Sequence, residues 1–430
     1  MISKELLKEI ISSNQEFILN KIKTIIKREN ISLPKELNKV AIIYGVRRSG
    51  KSFLLYDLYR NTNGRVLYVD FEDERLTDFT VQDFEILKEA FLEISPETNE
   101  SKIIFLFDEI QNVKGWEKFV RRISEKEDIK VIVTGSSSKF MPTKINTALR
   151  GRIWSIKINP FSFREHLLAN NVKFSTVSAY GSKKIILKKY FTQYFQWGGF
   201  PEVVLCKDEF EKRKMLREYL NSIFFKDLVE KYKMDNLTLL DVLMDKLLSS
   251  FSMKVSLNAF YKQYKGKFPF SKDSLFNYYK YFLESMIIFE VKKFSESAYT
   301  RMRNPGKVYL IDTGLAKHIT SSDWGRLLEN IVAEELNKKY EKLFYFEEEN
   351  ECDFIAGNEN DFNAYQVCYE LNPQNMEREI SGIMSACKYL KLKKGTILTN
   401  DQEDEIKKEN IQIKILPVWK WLISGSYKVL

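Results

Sequence analysis

The sequence predicts an α/β multidomain protein whose first part is a parallel sheet with flanking helices. Three observations support this. A glycine-rich segment at residues 45–52 lies between a strand pattern and a helix pattern, further buried-strand patterns follow at 65–71, 103–107 and 130–134, and the strand at 103–107 ends in two acids. Short β-branched runs that alternate with helical patterns are typical of parallel sheets.

Residues 45–52 carry the pattern of a phosphate-binding loop, in which two glycines bend the backbone so that its N–H groups converge on a phosphate. In such a loop a lysine reaches the β- and γ-phosphate oxygens and a hydroxyl residue holds magnesium, and Lys51 and Ser52 fit these roles. The predicted ligands are therefore ATP and Mg²⁺, and the alternative is a glycine-rich turn of another α/β domain. The predicted nucleotide-binding residues are Gly45, Val46, Arg47, Arg48, Ser49, Gly50, Lys51 and Ser52.

Two acids, Asp108 and Glu109, follow the apolar run at residues 103–107. Because ligands of parallel sheets bind at the carboxyl ends of the strands, this pair is expected beside the loop. Asp108 is the predicted magnesium ligand, directly or through water. Glu109 is the predicted base that orients and deprotonates the attacking water, which favours an ATPase over a kinase. The alternative for this pair is a solvated turn.

Three further site residues are predicted after the strand at 130–134. Ser136 stands in a serine-rich stretch, where a hydroxyl can bond the γ-phosphate or the attacking water; the alternative is a loop with local backbone bonds. Arg150 and Arg152 offer planar guanidinium groups that suit phosphate. One of them acts as an arginine finger on a neighbouring subunit of a homo-oligomer or on ATP in its own chain, or else they form salt bridges or a solvated surface.

Length and composition indicate a folded chain of several domains. The sequence has 430 residues, of which 44% are hydrophobic and 30% are charged. A chain of this length is too long for one ordinary core. No apolar run is long enough to span a membrane, and residues 1–6 lack the apolar core of a signal peptide, so a cytoplasmic protein without a membrane partner is expected. Cys206, Cys352, Cys368 and Cys387 lack paired spacing, which predicts buried thiols.

Several short segments resemble a known family, the prokaryotic and especially archaeal ATPases of the AAA superfamily. These proteins pair a P-loop domain with a winged-helix region and a C-terminal domain of nuclease-like fold. Besides residues 45–52, the matching segments are Phe-Asp-Glu-Ile-Gln-Asn-Val (107–113), Gly-Trp-Glu (115–117), Thr-Gly-Ser-Ser-Ser (134–138), Gly-Arg (151–152), Pro-Phe-Ser-Phe-Arg-Glu (160–165) and the segments at 197–202, 225–228 and 308–315. The resulting domain prediction is an N-terminal helical segment (1–36), an AAA-type P-loop ATPase core (37–165), a helical lid (166–237), a winged helix (238–316) and a restriction-endonuclease-like α/β domain (317–430).

Residues 254–307 are the most basic part of the chain. They contain eleven Lys or Arg and four Asp or Glu, a net charge of +7 against +9 for the whole sequence. Within the predicted winged helix, Ser271 can cap the recognition helix, and the DNA phosphates are the predicted partner of this basic region. The alternative is a winged helix that contacts proteins. The basic residues assigned to the wing are Lys292, Lys293, Arg301, Arg303 and Lys307.

The C-terminal pattern resembles the nuclease-like fold, in which a helix acid, a strand-end Asp and a Glu-x-Lys bind metal and activate water. Glu329 and Asp353 match the first two positions, but Gln366 and Cys368 replace the acid and the lysine. Because a neutral amide and a soft thiol suit neither role, the domain is expected to be inactive as a nuclease. Lys388 on the following helix is the alternative source of the missing cation.

The function that these features predict is Mg²⁺-dependent ATP binding and hydrolysis, coupled to a rearrangement of the winged-helix module that binds DNA or another partner. A nucleotide-gated signalling or interaction protein with little turnover is the alternative. An ATP-regulated nuclease is the third hypothesis, and Gln366 and Cys368 argue against it.

Overall fold

The computed structural model describes residues 2–29, 31–33, 39–95, 102–127, 129–135, 140, 145, 149, 151–174, 181, 183–316, 323–359 and 361–424. The chain forms two compact units that divide between Asn159 and Pro160. The predicted α/β multidomain class is confirmed, with a parallel sheet and flanking helices in the first unit and a mixed sheet in the second. Within the described ranges, no helix combines the length and the apolar character needed to cross a bilayer.

The first unit is a five-stranded parallel sheet in the order β2-β3-β4-β1-β5. Sequence patterns do not indicate β5, because this edge strand is only half buried and carries no continuous apolar run. The elements of this unit are α1 (Lys4–Glu16), β1 (Val40–Tyr44), α2 (Lys51–Asn61), β2 (Arg65–Asp70), α3 (Asp83–Ile94), β3 (Ile103–Asp108), α4 (Trp116–Lys126), β4 (Lys130–Gly135) and β5 (Ile153–Lys157).

Both faces of this sheet are buried, which explains why its strands read as continuous apolar runs. Alternate residues of each strand face opposite sides, so Ile42 packs with α1, α3 and α4 while Ile43 packs with α2. The predicted N-terminal helical segment (1–36) is only partly helical. Helix α1 continues as a π-helix over Phe17–Lys21, and the chain is not helical at residues 22–29.

The strand register brings the carboxyl ends of β2, β3, β4 and β1 to one edge. Asp70 lies opposite Asp108 in the β2–β3 pair, and Tyr44 lies opposite Gly135 in the β1–β4 pair. Because β4 runs between β1 and β3, its last residues separate the loop that follows β1 from the acids that end β3. This edge is therefore where the predicted site residues meet.

The second unit is built on a nine-stranded sheet in the order β13-β14-β12-β11-β10-β9-β7-β8-β6. Its strands are β6 (Met253–Lys254), β7 (Ile288–Lys293), β8 (Lys307–Leu310), β9 (Lys342–Glu347), β10 (Glu351–Asn358), β11 (Asp361–Val367), β12 (Lys394–Thr399), β13 (Asp404–Lys408) and β14 (Ile411–Pro417). Its helices are α5 (Phe163–Ala169), α6 (Lys183–Trp197), α7 (Pro201–Leu205), α8 (Glu209–Ser222), α9 (Leu237–Ser249), α10 (Leu257–Tyr264), α11 (Lys272–Glu284), α12 (Ala298–Arg303), α13 (Trp324–Lys339), α14 (Met376–Tyr389) and α15 (Val418–Ser424), and a π-helix covers Ile223–Glu230.

The chain order is α9, β6, α10, α11, β7 and β8, and the three strands pair antiparallel in the order β6-β8-β7, which is the arrangement that a winged helix needs. Ser271 caps α11 as predicted, because its hydroxyl accepts the Ser274 N–H at 2.9 Å. Strand β7 also pairs in parallel with β9, with Lys292 opposite Phe344. The strands assigned by sequence to two modules thus share one sheet, and the winged-helix assignment stays a prediction.

Candidate functional site

The loop at residues 45–52 joins β1 to α2 and owes its shape to two glycines. A Cβ on Gly45 would stand 2.0 Å from the Ile158 carbonyl oxygen, so only glycine fits there. Gly50 has φ 94°, and Arg48 is also left-handed with φ 66°. Residues that alternate in this way turn successive backbone N–H groups toward a common point, which makes an anion-binding concavity in front of α2.

Lys51 is buried inside the curve of the loop, with only 5% of its surface exposed. Its ammonium donates long hydrogen bonds to the carbonyl oxygens of Gly45 at 3.4 Å and Val46 at 3.3 Å. Both acceptors belong to the loop, so the ammonium lies inside the curve that the loop makes. Of the other loop residues, Ser49 is buried and Arg47 lies 3.7 Å from the Glu72 carboxylate.

Asp108 is fully buried at the end of β3 and accepts hydrogen bonds from two hydroxyl groups. Thr134 donates from β4, and Tyr68 donates from β2 at 3.1 Å. The Ser52 hydroxyl at the start of α2 also lowers the pKa of this carboxylate. Burial raises the pKa of Asp108, and the neighbouring Glu109 adds to the rise, while the three hydroxyls act in the opposite direction. The carboxylate is therefore held ready for a cation beside the loop.

Glu109 follows in a left-handed conformation with φ 47° and ψ 41°. Its N–H donates to the Thr134 hydroxyl oxygen at 3.1 Å, so one threonine touches both acids. Its carboxylate accepts a hydrogen bond from the Gln111 side-chain amide. Asn112 ties the same turn to β2, because its side chain donates to the Phe71 carbonyl at 3.1 Å. The turn thus has anchors on two strands.

Asp70 is a third acid at this edge, and sequence reasoning missed it. It ends β2 opposite Asp108, and burial raises its pKa to about 7, with smaller contributions in the same direction from Asp108 and Glu109. The signal that marks it is the same as for Asp108, an acid at the carboxyl end of a buried strand. Thr134 and Tyr68 carry no such signal, because nothing local distinguishes their hydroxyls from others.

Of the three remaining predicted site residues, the structure describes only Arg152. Ser136 and Arg150 lie outside the described residues. Arg152 is on the surface, where its guanidinium pairs with the Glu125 carboxylate of α4 at 2.8 Å. This is the salt bridge that the sequence leaves open as an alternative, and a role of Arg152 as an arginine finger stays a prediction.

The donor set beside the loop fits magnesium. Mg²⁺ usually takes one or two protein oxygens and completes its octahedron with water and phosphate oxygens. The Ser52 hydroxyl and the Asp108 carboxylate are hard oxygen donors, and they are near enough for the hydroxyl to lower the pKa of the carboxylate. Across the described part of the chain, no group of three or more His, Cys, Asp and Glu residues is placed to hold a metal by itself.

A second charged cluster lies in the second unit and contains residues of the nuclease-like pattern. Lys307 is buried there, and its ammonium lies 3.2 Å from Glu329, 2.8 Å from Glu351 and 2.9 Å from Asp353. Tyr309 donates to Glu329 at 2.7 Å. The sequence assigns Lys307 to an exposed wing. This was wrong, because the β8–β7–β9 pairing turns its side chain into the carboxylate cluster.

The charged groups of this cluster shift one another's pKa values. Burial raises the pKa of Glu329 to about 7, against the opposing effect of Lys307. Burial alone would lower the pKa of the Lys307 ammonium, but Glu329 and Asp353 raise it well above its ordinary value. The ammonium therefore stays protonated and pairs with the carboxylates around it.

The other residues of the nuclease-like pattern are also engaged. Gln366 donates to Glu379 at 2.6 Å and accepts the Asp353 N–H at 3.1 Å. Burial raises the pKa of the Cys368 thiol to about 11. Lys388 pairs with Glu409 at 2.6 Å on the surface.

Relatives of this chain are known from sequence. Residues 37–167 match the family described as AAA domain, residues 188–325 match the domain of unknown function DUF8612, and residues 324–421 match the domain of unknown function DUF4143. The uncharacterized protein MJ1544 of Methanocaldococcus jannaschii is 36% identical over 443 residues, covering 99% of this chain and 97% of that protein. An uncharacterized protein of Haemophilus influenzae is 29% identical over 82% of this chain and 89% of its own length.

Among solved structures, the Walker-type ATPase PABY2304 of Pyrococcus abyssi is similar with a TM-score of 0.42 and 15% sequence identity, covering 73% of this chain and 95% of that chain.

Replacing Lys307 by Met should destabilise the protein by about 3–5 kcal/mol, because it leaves the largely buried Glu329 and Asp353 carboxylates without their cation. The matched control is Lys292→Met on the adjacent strand, where the lysine is exposed and lies 3.9 Å from its nearest carboxylate; it should change stability by about 0.5 kcal/mol or less. Urea unfolding of the second unit measures both. Equal stability of the two variants would show that the cluster does not depend on the ammonium.

Proposed function

The chain belongs to the same family as the uncharacterized protein MJ1544 of Methanocaldococcus jannaschii, and its residues 37–167 match the AAA domain. From this premise we propose that it binds ATP with Mg²⁺ and hydrolyses it. The observation that carries the proposal is that the loop after β1 and the fully buried Asp108 carboxylate at the end of β3 meet at one edge of the sheet, where Thr134 and Tyr68 hold the carboxylate. The Ser52 hydroxyl, in the first turn of the helix after the loop, lowers the pKa of this carboxylate. A turn that merely contained glycines would not need a buried acid beside it.

The loop residues bind and orient the phosphates in this proposal. The N–H groups of the loop and the start of α2 face the β-phosphate, and the Lys51 ammonium exchanges its long carbonyl contacts for phosphate oxygens. Ser52 and Asp108 hold Mg²⁺, which when bound neutralises charge that develops on the phosphate oxygens. Tyr68 and Thr134 keep the Asp108 carboxylate in place.

Glu109 is the proposed base that accepts the proton of the attacking water. Its left-handed backbone and the bond from its N–H to Thr134 fix where the side chain begins, next to Asp108. The Gln111 amide binds the same carboxylate and so orients it. A positioned base of this type contributes about 10²–10⁴-fold to a rate.

The same Gln111 contact favours a second candidate function. An amide that keeps the Glu109 carboxylate engaged lowers its availability for water, which suits a nucleotide-gated interaction protein with little turnover. The steady-state rate of ATP hydrolysis separates the two candidates.

DNA is the proposed partner of the second unit, through the predicted winged helix. The supporting charge lies on the α10–α11 helix pair, whereas two of the five basic residues assigned to the wing, Lys293 and Lys307, pair with carboxylates. Five lysines on and between the two helices are exposed to solvent. They are Lys262, Lys265, Lys267, Lys272 and Lys280.

Lys51→Ala should abolish ATP binding, because it removes the cation that reaches the phosphates. Glu109→Gln should keep binding and lose hydrolysis by about 10²-fold or more. Nucleotide titration and phosphate release measure the two effects. Glu74→Gln, at an exposed acid after β2, is the control and should turn over like wild type. Wild-type turnover in Glu109→Gln would remove the base from the proposal.

Replacing Lys262, Lys265, Lys267 and Lys272 together by Ala should weaken DNA binding and flatten its salt dependence, because each lost phosphate contact reduces the log–log slope by about 0.9. Fluorescence anisotropy with a labelled duplex at several salt concentrations gives the slope. The control replaces Lys292 and Lys293 on the strand side of the module. A wild-type protein without DNA affinity at low salt would instead indicate a protein-contact module.

A further inference from the structure

The segment after the π-helix lies along the first unit and brings Arg28 to the phosphate-binding loop. Ile22 and Ile25 of this segment pack against the same core cluster as β1 and α2. Arg28 stands where no sequence motif marks it. Its position depends on this packing, because the chain around it is not helical.

The Arg28 guanidinium donates two hydrogen bonds to backbone carbonyls. Nη1 donates to Ser49 at 2.8 Å, inside the loop, and Nη2 donates to Asn159 at 2.6 Å, just after β5. Charge-assisted bonds from one planar group to two fixed acceptors are strong and strongly directional. The guanidinium thus ties the loop to the chain that leaves the edge strand of the sheet.

The orientation of the Ser49 carbonyl also decides the orientation of the next N–H. In a trans peptide the C=O of one residue and the N–H of the following residue lie in one plane and point in opposite directions. Arg28 therefore directs the Gly50 N–H away from itself when it binds the Ser49 oxygen. Gly50, on one side of this peptide, is left-handed, and Arg48 before Ser49 is left-handed too. Because glycine adopts many backbone conformations, the peptide plane at Gly50 can take more than one orientation.

We propose that Arg28 is a positioning residue that holds the Ser49–Gly50 peptide in the orientation needed for phosphate binding. The proposal rests on the proposed ATP-binding function of the loop. Arg28 acts through the backbone and not on the reacting atoms, so its loss weakens nucleotide binding more than it slows the chemical step. A preorganised loop avoids the cost of ordering on binding, and that saving is what Arg28 contributes.

Arg60 provides the matched control, because it holds the same N-terminal segment without touching the loop. Its guanidinium donates from α2 to the carbonyls of Ile18, Leu19 and Ile22. Arg60→Ala removes these bonds at the start of the segment but keeps the packing of Ile25 and both Arg28 bonds, so the Ser49 carbonyl keeps its partner. Arg28→Lys is the conservative variant, since an ammonium can reach one carbonyl but cannot span both with a planar fork.

The experiment measures three quantities in the full chain of wild type and the three variants. These are the Kd of a fluorescent ADP analogue, kcat and KM for ATP, and amide hydrogen exchange of the loop peptides without nucleotide. For Arg28→Ala we expect Kd and KM to rise about tenfold, which corresponds to about 1.4 kcal/mol, with kcat within about threefold of wild type and faster exchange in the loop. The Kd and KM of Arg28→Lys should lie between those of wild type and those of Arg28→Ala. Arg60→Ala should keep the wild-type Kd.

The outcomes separate this proposal from the proposed function. A wild type that binds no nucleotide overturns both. If wild type binds and Arg28→Ala has the same Kd and the same loop exchange, the proposal alone is wrong. A fall in kcat with an unchanged KM would also overturn it, because Arg28 would then act on the chemical step. Should Arg28→Ala fail to fold, the Arg28→Lys variant decides by the same comparison of Kd and loop exchange.

Discussion

The geometry of the acidic pair in the first unit depends on the hydrogen bonds of the Thr134 hydroxyl. It donates to the Asp108 carboxylate and accepts the N–H of Glu109, so a single side chain on β4 fixes two adjacent acids at the end of β3. This is possible only because β4 runs between β1 and β3 in a parallel sheet. The strand order therefore also places the Thr134 hydroxyl where it can bind Asp108 through its carboxylate and Glu109 through its backbone N–H.

The predictable part of the site is the part encoded over short distances. The loop at 45–52 and the pair Asp108 and Glu109 follow from residue type, spacing and the apolar runs that precede them, and the structure brings these residues to one edge of the sheet. Asp70 obeys the same rule and was available to the same reasoning. Edge strand β5 was not, because half-buried strands lack the apolar run that identifies central ones.

Arg28 and Lys307 show why the rest was not predictable. Each is one basic residue among many in the sequence, and each acquires its role from partners far along the chain: Arg28 from Asn159, and Lys307 from Asp353. Counting charge over 254–307 treated Lys307 as exposed, although it is buried. A local sum of charges describes a surface only when the side chains are on that surface, and pairing of β7 with β9 decides this for Lys307.

The β7–β9 pairing also bears on how the chain can be divided. Domain boundaries normally fall where few contacts cross, but here backbone hydrogen bonds join residues 292–293 to residues 344–345. A fragment that ends near residue 316 would leave β7 without its neighbour and would deprive Lys307 of three carboxylates. An unpaired strand edge beside a buried, uncompensated cation is a template for aggregation. Residues 238–316 and the C-terminal sheet therefore belong to one compact unit and should be expressed together.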